Sequence, residues 1–295
     1  VTQPEESIID FHQYNPWLTQ FATESSDPVV RDSAEMIKYC LSLEKQMPSE
    51  YSWRYTELEA FRETAKKLKA PEDLNVLYWG DMAHNFEAYS ITTFWRGIEL
   101  IKPLIRSLNV KEIITPAVLS RSLLELAASF IENANIIQKT IEQMPAHQKD
   151  EIEISEFLEQ LSVRILFGSR LGSNIPEHLK QKNVLSTLQR LTKNPNAVDL
   201  FPTYEFLCEI AHPNVIGNAR FWGEALRKNN DGSETIRISR QHDTIANREI
   251  LQKILWAVGW SAVCLRNGFH LIKEAIATIM VRFPRLKTSI INKER

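Results

Sequence analysis

Glycine is scarce in this chain, with nine in 295 residues. Runs rich in Val and Thr are also few. Sandwiches and Rossmann-type sheets need tight turns and β-branched strands, so both shortages argue against them and for helices. Cysteine is limited to Cys40, Cys208 and Cys264, an odd number, far apart and in apolar helical contexts. That pattern excludes a disulfide framework and a zinc site and suits the reduced thiols of a cytoplasmic protein. Basic charge is not in excess: 35 Lys and Arg stand against 37 Asp and Glu, a net charge of −2. Non-specific nucleic-acid binding over the whole surface is therefore not implied. The most apolar run, Ile254 to Leu265, is shorter than the ~20 residues that span a bilayer and reads as a core helix, so no membrane association is expected. No secretory signal is recognised at the start, and there is no internal repeat. The paired Glu-x-x-His motif of helical di-metal sites is missing, so neither a metal nor a cofactor is expected.

What is present is helical periodicity with punctuation. Hydrophobic content of 43% and charged content of 24% are ordinary for a globular protein. Asp27-Pro28 predicts a helix to about Met47, and an amphipathic pattern predicts another over about Ser52–Lys69. Residues 1–70 are taken as an N-terminal helical extension and 71–295 as the main helical domain. In that domain, Asp81–Leu108 reads as a long aromatic-rich helix with Pro103 inside it. Further helices are expected over Thr115 to about Lys139, Ile152–Phe167 and Pro176 to about Lys193. A long one follows from about Thr244 to Arg282, where Gly259 and Gly268 are candidate bends. Asp231-Gly232 is a strong turn signal, so one inserted β-hairpin is expected at about 219–239. The loop Gly168-Ser-Arg-Leu-Gly-Ser-Asn174 reads either as a plain turn or as backbone amides offered to an anion beside Arg170.

Two stretches carry polar groups inside apolar patterns. In the first, Arg121 and Glu125 share one helical face among Ala117, Ala128 and Ser129. They read either as a surface i,i+4 pair or as a buried, cleft-lining pair, and the apolar surroundings favour the second. In the second, Tyr204, Cys208 and His212 fall at steps of four on one stripe. Pro213 disfavours helical geometry at the preceding residue, which places His212 at the helix end. There it is either a capping histidine or a site residue whose imidazolium the helix C-terminus favours. Cys208 reads as a small core residue or as a nucleophile beside His212. Because unpaired buried charge is costly, Arg121, Glu125, Tyr204 and His212 are expected to converge in one cluster.

The pattern Arg121-x-x-x-Glu125, then Tyr204-x-x-x-Cys208-x-x-x-His212-Pro213-Asn214, resembles a group of uncharacterised bacterial helical proteins, loosely of the HEPN class. Phe167-Gly-Ser-Arg170 and Asn183-Val-Leu-Ser-Thr-Leu188 add to the resemblance, which covers about residues 80–280. It implies a mainly α, HEPN-like helical bundle. It also implies candidate catalytic residues Arg121, Glu125, Tyr204, His212 and Asn214, with RNA or a nucleotide as ligand. The Arg-to-His spacing of catalytic HEPN ribonucleases is longer than Arg266-Asn-Gly-Phe-His270 provides. Two functions follow. One is a prokaryotic interaction or regulatory module, defence- or stress-linked, with a protein partner and a buried polar network. The other is a metal-independent ribonuclease with His212 as general acid/base, Arg121 on the phosphorane, and Tyr204 and Asn214 positioning. The long C-terminal helix implies a homodimer.

Overall fold

The computed structural model describes residues 13–54, 56–148, 150–169, 176, 179–180, 183–212, 223–238 and 248–286. Among these the protein is mainly helical. Pro16–Thr23 (α1), Pro28–Arg31 (α2), Ser33–Glu44 (α3) and Leu58–Ala65 (α4) precede two long helices, Pro71–Asn109 (α5) and Ile114–Glu142 (α6). Glu156–Phe167 (α7), Val184–Leu191 (α8) and Leu200–Ala211 (α9) follow. Gly223–Lys228 (β1) pairs antiparallel with Glu234–Ile238 (β2), and Gly232 takes a φ of 83° in the turn between them. Arg248–Arg282 (α10) is the last long helix.

Contacts divide the chain into two compact units. The first is Val1–Lys45, Arg96–Ser129 and Val184–Leu265; the second is Gln46–Trp95, Phe130–Asn183 and Arg266–Arg295. Helices α5, α6 and α10 each give a segment to both. In the first unit Leu18, Ile37, Ile105, Leu123, Leu200 and Leu255 are fully or almost fully buried. Asn109, at the end of α5, holds the entry to α1: its Oδ1 accepts from Asn15 N at 2.9 Å and its Nδ2 donates to Gln13 O at 3.0 Å. The expected helix from Asp27 begins as read, since the Asp27 carboxylate accepts from Val29 N and Val30 N. It is broken at Asp32, whose φ and ψ are −94° and 3°, and Ser33 Oγ donates to the Val30 carbonyl at 2.7 Å.

In the second unit Trp79, Phe86, Phe94 and Phe283 are fully buried and Phe94 packs on Phe269. The helix expected over Ser52–Lys69 shrinks to α4, which buries no residue. Ahead of it Trp53 Nε1 donates to Asn85 Oδ1 at 3.0 Å and Tyr51 Oη to Glu87 Oε2 at 2.8 Å. These tertiary bonds hold the chain outside helical geometry, and a short helix with no buried face has little to oppose them. Helix α5 begins ten residues before the expected Asp81, at Pro71, where the missing proline N–H costs nothing. Helix α7 begins at Glu156 and not at Ile152, capped by Ser155 Oγ, which accepts from Leu158 N. Helix α8 begins at Val184 and not at Pro176.

By length and composition α6 is long and apolar enough to cross a membrane. Leu123, Leu124 and Ala127 in the first unit, and Phe130, Ala134 and Ile137 in the second, are fully buried. Gly259 and Gly268 on α10 are contact points. A Cβ on Gly259 would stand 3.0 Å from Val29 O, and one on Gly268 would stand 2.8 Å from two Phe130 ring atoms.

Burial pushes the Tyr89 phenol up to about 12, although its oxygen accepts from Asn133 Nδ2 at 3.0 Å. Burial also pushes Tyr78 up to about 12. An unfolded tyrosine titrates near ~10. Between these values the unfolded chain releases protons that the folded chain keeps, so stability is lost as pH rises. We expect spectrophotometric titration to show a tyrosine class that ionises together with alkaline unfolding, and not at the free-phenol midpoint.

Candidate functional site

The site lies in the first unit, where α6 meets α9. Arg121 and Glu125 are one turn apart on α6, and Tyr204 and Cys208 one turn apart on α9. Pro202 sits in the first turn of α9, where no helical N–H partner is lost. Tyr204 is 5% exposed, and its hydroxyl donates to Glu125 Oε1 at 2.8 Å. Arg121 Nε lies 3.4 Å from the same oxygen, and the guanidinium carbon stands 5.7 Å from the centre of the Tyr204 ring. One carboxylate oxygen thus collects a hydroxyl and a guanidinium, with a cation–π contact closing the triangle.

The pair is not fully buried as expected: the side chains of Arg121 and Glu125 are 30% and 33% exposed. The three groups line the edge of a helix contact, with Arg121 Nε itself shielded and without a hydrogen-bond partner among the described residues. Burial and the bond to Glu125 push the Tyr204 phenol upward, so it acts as a donor at neutral pH. Cys208 is half-buried, and burial pushes its thiol up despite the opposing pull of Tyr204 and Arg121. A raised thiol holds less thiolate at pH 7, which argues against the nucleophile reading. We therefore expect Cys208 to react with iodoacetamide at pH 7 more slowly than an exposed thiol, and the gap to narrow as pH rises.

His212 does not join this cluster as expected. Helix α9 ends at Ala211, and His212 caps it with ψ at 136°, the extended geometry that Pro213 imposes. Its backbone N–H donates to Cys208 O at 3.0 Å, while the side chain is exposed. Among the described residues, no side-chain hydrogen bond or ion pair links its imidazole to Arg121, Glu125 or Tyr204. Asn214, Arg170 and the Leu171–Asn174 part of the Gly/Ser loop lie outside the described residues.

A second cluster, in the second unit, was missed by sequence reasoning. Arg282 Nε and Nη2 both reach Glu153 Oε2, and Nη2 also donates to Pro145 O. His147 presents Nδ1 to Glu153 Oε1 and Nε2 to Glu72 Oε2, the latter at 3.5 Å. The imidazole stands edge-on to Phe283, 5.0 Å between ring centres, and Phe283 stacks on Trp79. The only signal in the sequence is Glu153 between Ile152 and Ile154, a charge in a period-two alternation inside a stretch read as helix. The partners come from α5, α10 and the 145–155 connection, so no local spacing announces them. Among the described residues no group of three His, Cys, Asp or Glu side chains is arranged to hold a metal ion.

Comparison with protein-family models, curated proteins and solved structures returns no match to this chain. The fold and the site together define the class: a mainly helical protein with a half-exposed Arg–Glu–Tyr cluster shared by two helices of one compact unit.

Proposed function

We propose that the chain is an interaction or regulatory module in which Arg121, Glu125 and Tyr204 fix the register of α6 against α9. The observation that carries this reading is that Tyr204 and Arg121 converge on one Glu125 oxygen. Two groups that converge on one acceptor across a helix contact specify how the helices pack. Because the pair is a third exposed, Glu125→Ala costs about 1 kcal/mol, the scale of one lost hydrogen bond, and less than removal of a sealed ion pair. His212→Ala is thermally silent, since its imidazole is exposed. Urea denaturation of both variants checks this.

A second reading is a metal-independent, HEPN-like ribonuclease. It is favoured by the exposure of His212, which leaves the imidazole accessible to a bound strand. Incubation of the protein, His212→Ala and Arg121→Ala with single-stranded RNA in chelator separates the two. No cleavage above buffer by any of them supports the module. Turnover by the unaltered chain that His212→Ala abolishes, at unchanged melting temperature, overturns it.

The finer architecture, a HEPN-like bundle into which the β1–β2 ladder is inserted, is part of the same proposal and rests on the two motifs. So do a prokaryotic origin and a defence or stress role. A cytoplasmic setting is supported by three free thiols, two of them buried. A homodimer is proposed from the length of α10, on which Val281 is 72% exposed. Light scattering at micromolar protein should give twice the 34.1 kDa chain mass, and a single-chain mass would remove the dimer.

A further inference from the structure

The connection before α7 lies outside helix and ladder, reaches Ser155 in extended geometry, and has its backbone bonded along one edge by side chains of α5. Glu151 O accepts from Asn75 Nδ2 at 2.8 Å, and Glu153 N donates to Asn75 Oδ1 at 2.7 Å. Trp79 Nε1 donates to Glu153 O at 3.0 Å. The Tyr78 hydroxyl donates to Ser155 O at 3.0 Å and accepts from Ser155 N at 3.3 Å. Side chains of α5 thus pair residues 151, 153 and 155, as a neighbouring strand would. In extended backbone, alternate residues direct N–H and C=O to opposite edges. The groups of Ile152 and Ile154 therefore face the other way, and among the described residues neither has a hydrogen-bond partner. Their side chains are exposed at 52% and 63%, and Phe157 just beyond is exposed at 54%. Natural proteins shield a free apolar edge of this kind because it templates pairing with another chain.

Charge says which chain. Asp150, Glu151, Glu156 and Glu159 are all exposed, and no Lys or Arg occurs from 150 to 160. Glu153 is already neutralised by Arg282. Two copies paired through this edge would bring like charges together, and a phosphate backbone would be repelled. We propose that Ile152–Ser155 is a β-addition site for an extended basic peptide of a partner protein, with Lys or Arg alternating with β-branched residues. The main chain would pair with Ile152 and Ile154, and the basic side chains would meet the acidic flank. The proposal lies outside the Arg121–Glu125–Tyr204 cluster and does not depend on its role.

The probe is a fluorescein-labelled, end-blocked peptide Lys-Val-Lys-Val-Lys-Val-Lys, titrated with the full chain at physiological ionic strength and followed by anisotropy. Saturable one-to-one binding is expected. The same peptide with alternate N-methyl groups on its pairing edge keeps its charge and loses its donors, and should bind at least about tenfold more weakly. Ile154→Pro should have the same effect, because it removes an edge donor that no internal bond uses. Amide exchange should be fast at Ile152 and Ile154 and slow at Glu153 and Ser155 in the free chain, with Ile152 and Ile154 slowing when the peptide binds. Equal binding of the N-methylated peptide reduces the contact to surface charge and overturns the proposal. A dimer that Ile154→Pro converts to monomer assigns the edge to a second copy and also overturns it.

Discussion

Glu153→Ala should be among the most destabilising single changes in the second unit, lowering the unfolding free energy by about 3–5 kcal/mol. Glu153 and Arg282 are 12% and 14% exposed, and both Arg282 Nε and Nη2 reach one Glu153 oxygen. Removal of the carboxylate leaves a largely shielded guanidinium with Pro145 O, among the described residues, left to accept from it. The same change takes away the Nδ1 partner of His147. The asymmetry of buried pairs sharpens the test: loss of one partner strands a charge, whereas loss of both strands none. Glu153→Ala with Arg282→Met should therefore recover a large share of the loss. Urea denaturation of the two single variants and the double variant measures this, and a double variant as unstable as the sum of the singles would show that the two groups do not act as a pair.

Phe130→Ala should cost about 3–5 kcal/mol, the range for a buried aromatic truncated to alanine. Phe130 is fully buried, stands edge-on to Tyr89 at 5.6 Å between ring centres, and lies directly over Gly268. The converse change is also unfavourable. Gly268→Ala places a methyl 2.8 Å from two atoms of a fully buried ring, an overpacking cost of about 1–3 kcal/mol. The two effects are coupled. With Phe130→Leu the ring atoms in conflict are gone, and Gly268→Ala should cost less than it does beside Phe130, or stabilise the helix by the ordinary advantage of alanine over glycine. Thermal melts of the double-mutant cycle decide it, and strict additivity would mean that the glycine is not there for the ring.

Local chemistry made part of this readable in advance. Asp27 caps α2 through its own side chain, a contact closed within three residues. Pro213 sets the backbone of His212 through a clash with its immediate neighbour, so the end of α9 needed no knowledge of the fold. Tyr204 lies on one stripe with Cys208 inside an apolar helical pattern, which points it inward, and it is buried. The failures occur where a distant group competes with local preference. The helix expected at Ser52 yields to hydrogen bonds that Trp53 and Tyr51 make to α5. Ile152 and Ile154 fit a helical phase with Phe157 and Leu158, but Asn75, Tyr78 and Trp79 claim the backbone between them and keep it outside the helix. Gly259 and Gly268 looked like bends, and they are places where another part of the chain approaches too closely for a side chain.

Residue patterning alone is enough to read that the protein is mainly helical, where several of its helices begin and end, and that Arg121, Glu125 and Tyr204 occupy the polar positions of two apolar helices. These follow from backbone sterics and from periodicities shorter than two turns, which a chain carries regardless of its fold. That Tyr204 and Arg121 meet at one Glu125 oxygen while His212 faces solvent comes from packing, because those outcomes depend on how α6 and α9 are set against each other. Packing alone also decided that His147, Glu153 and Arg282 form a cluster and that one edge of residues 152–155 is left open. Glu153 and Arg282, 129 positions apart, are brought together by packing that buries apolar surface, and burial of that kind has no local signature.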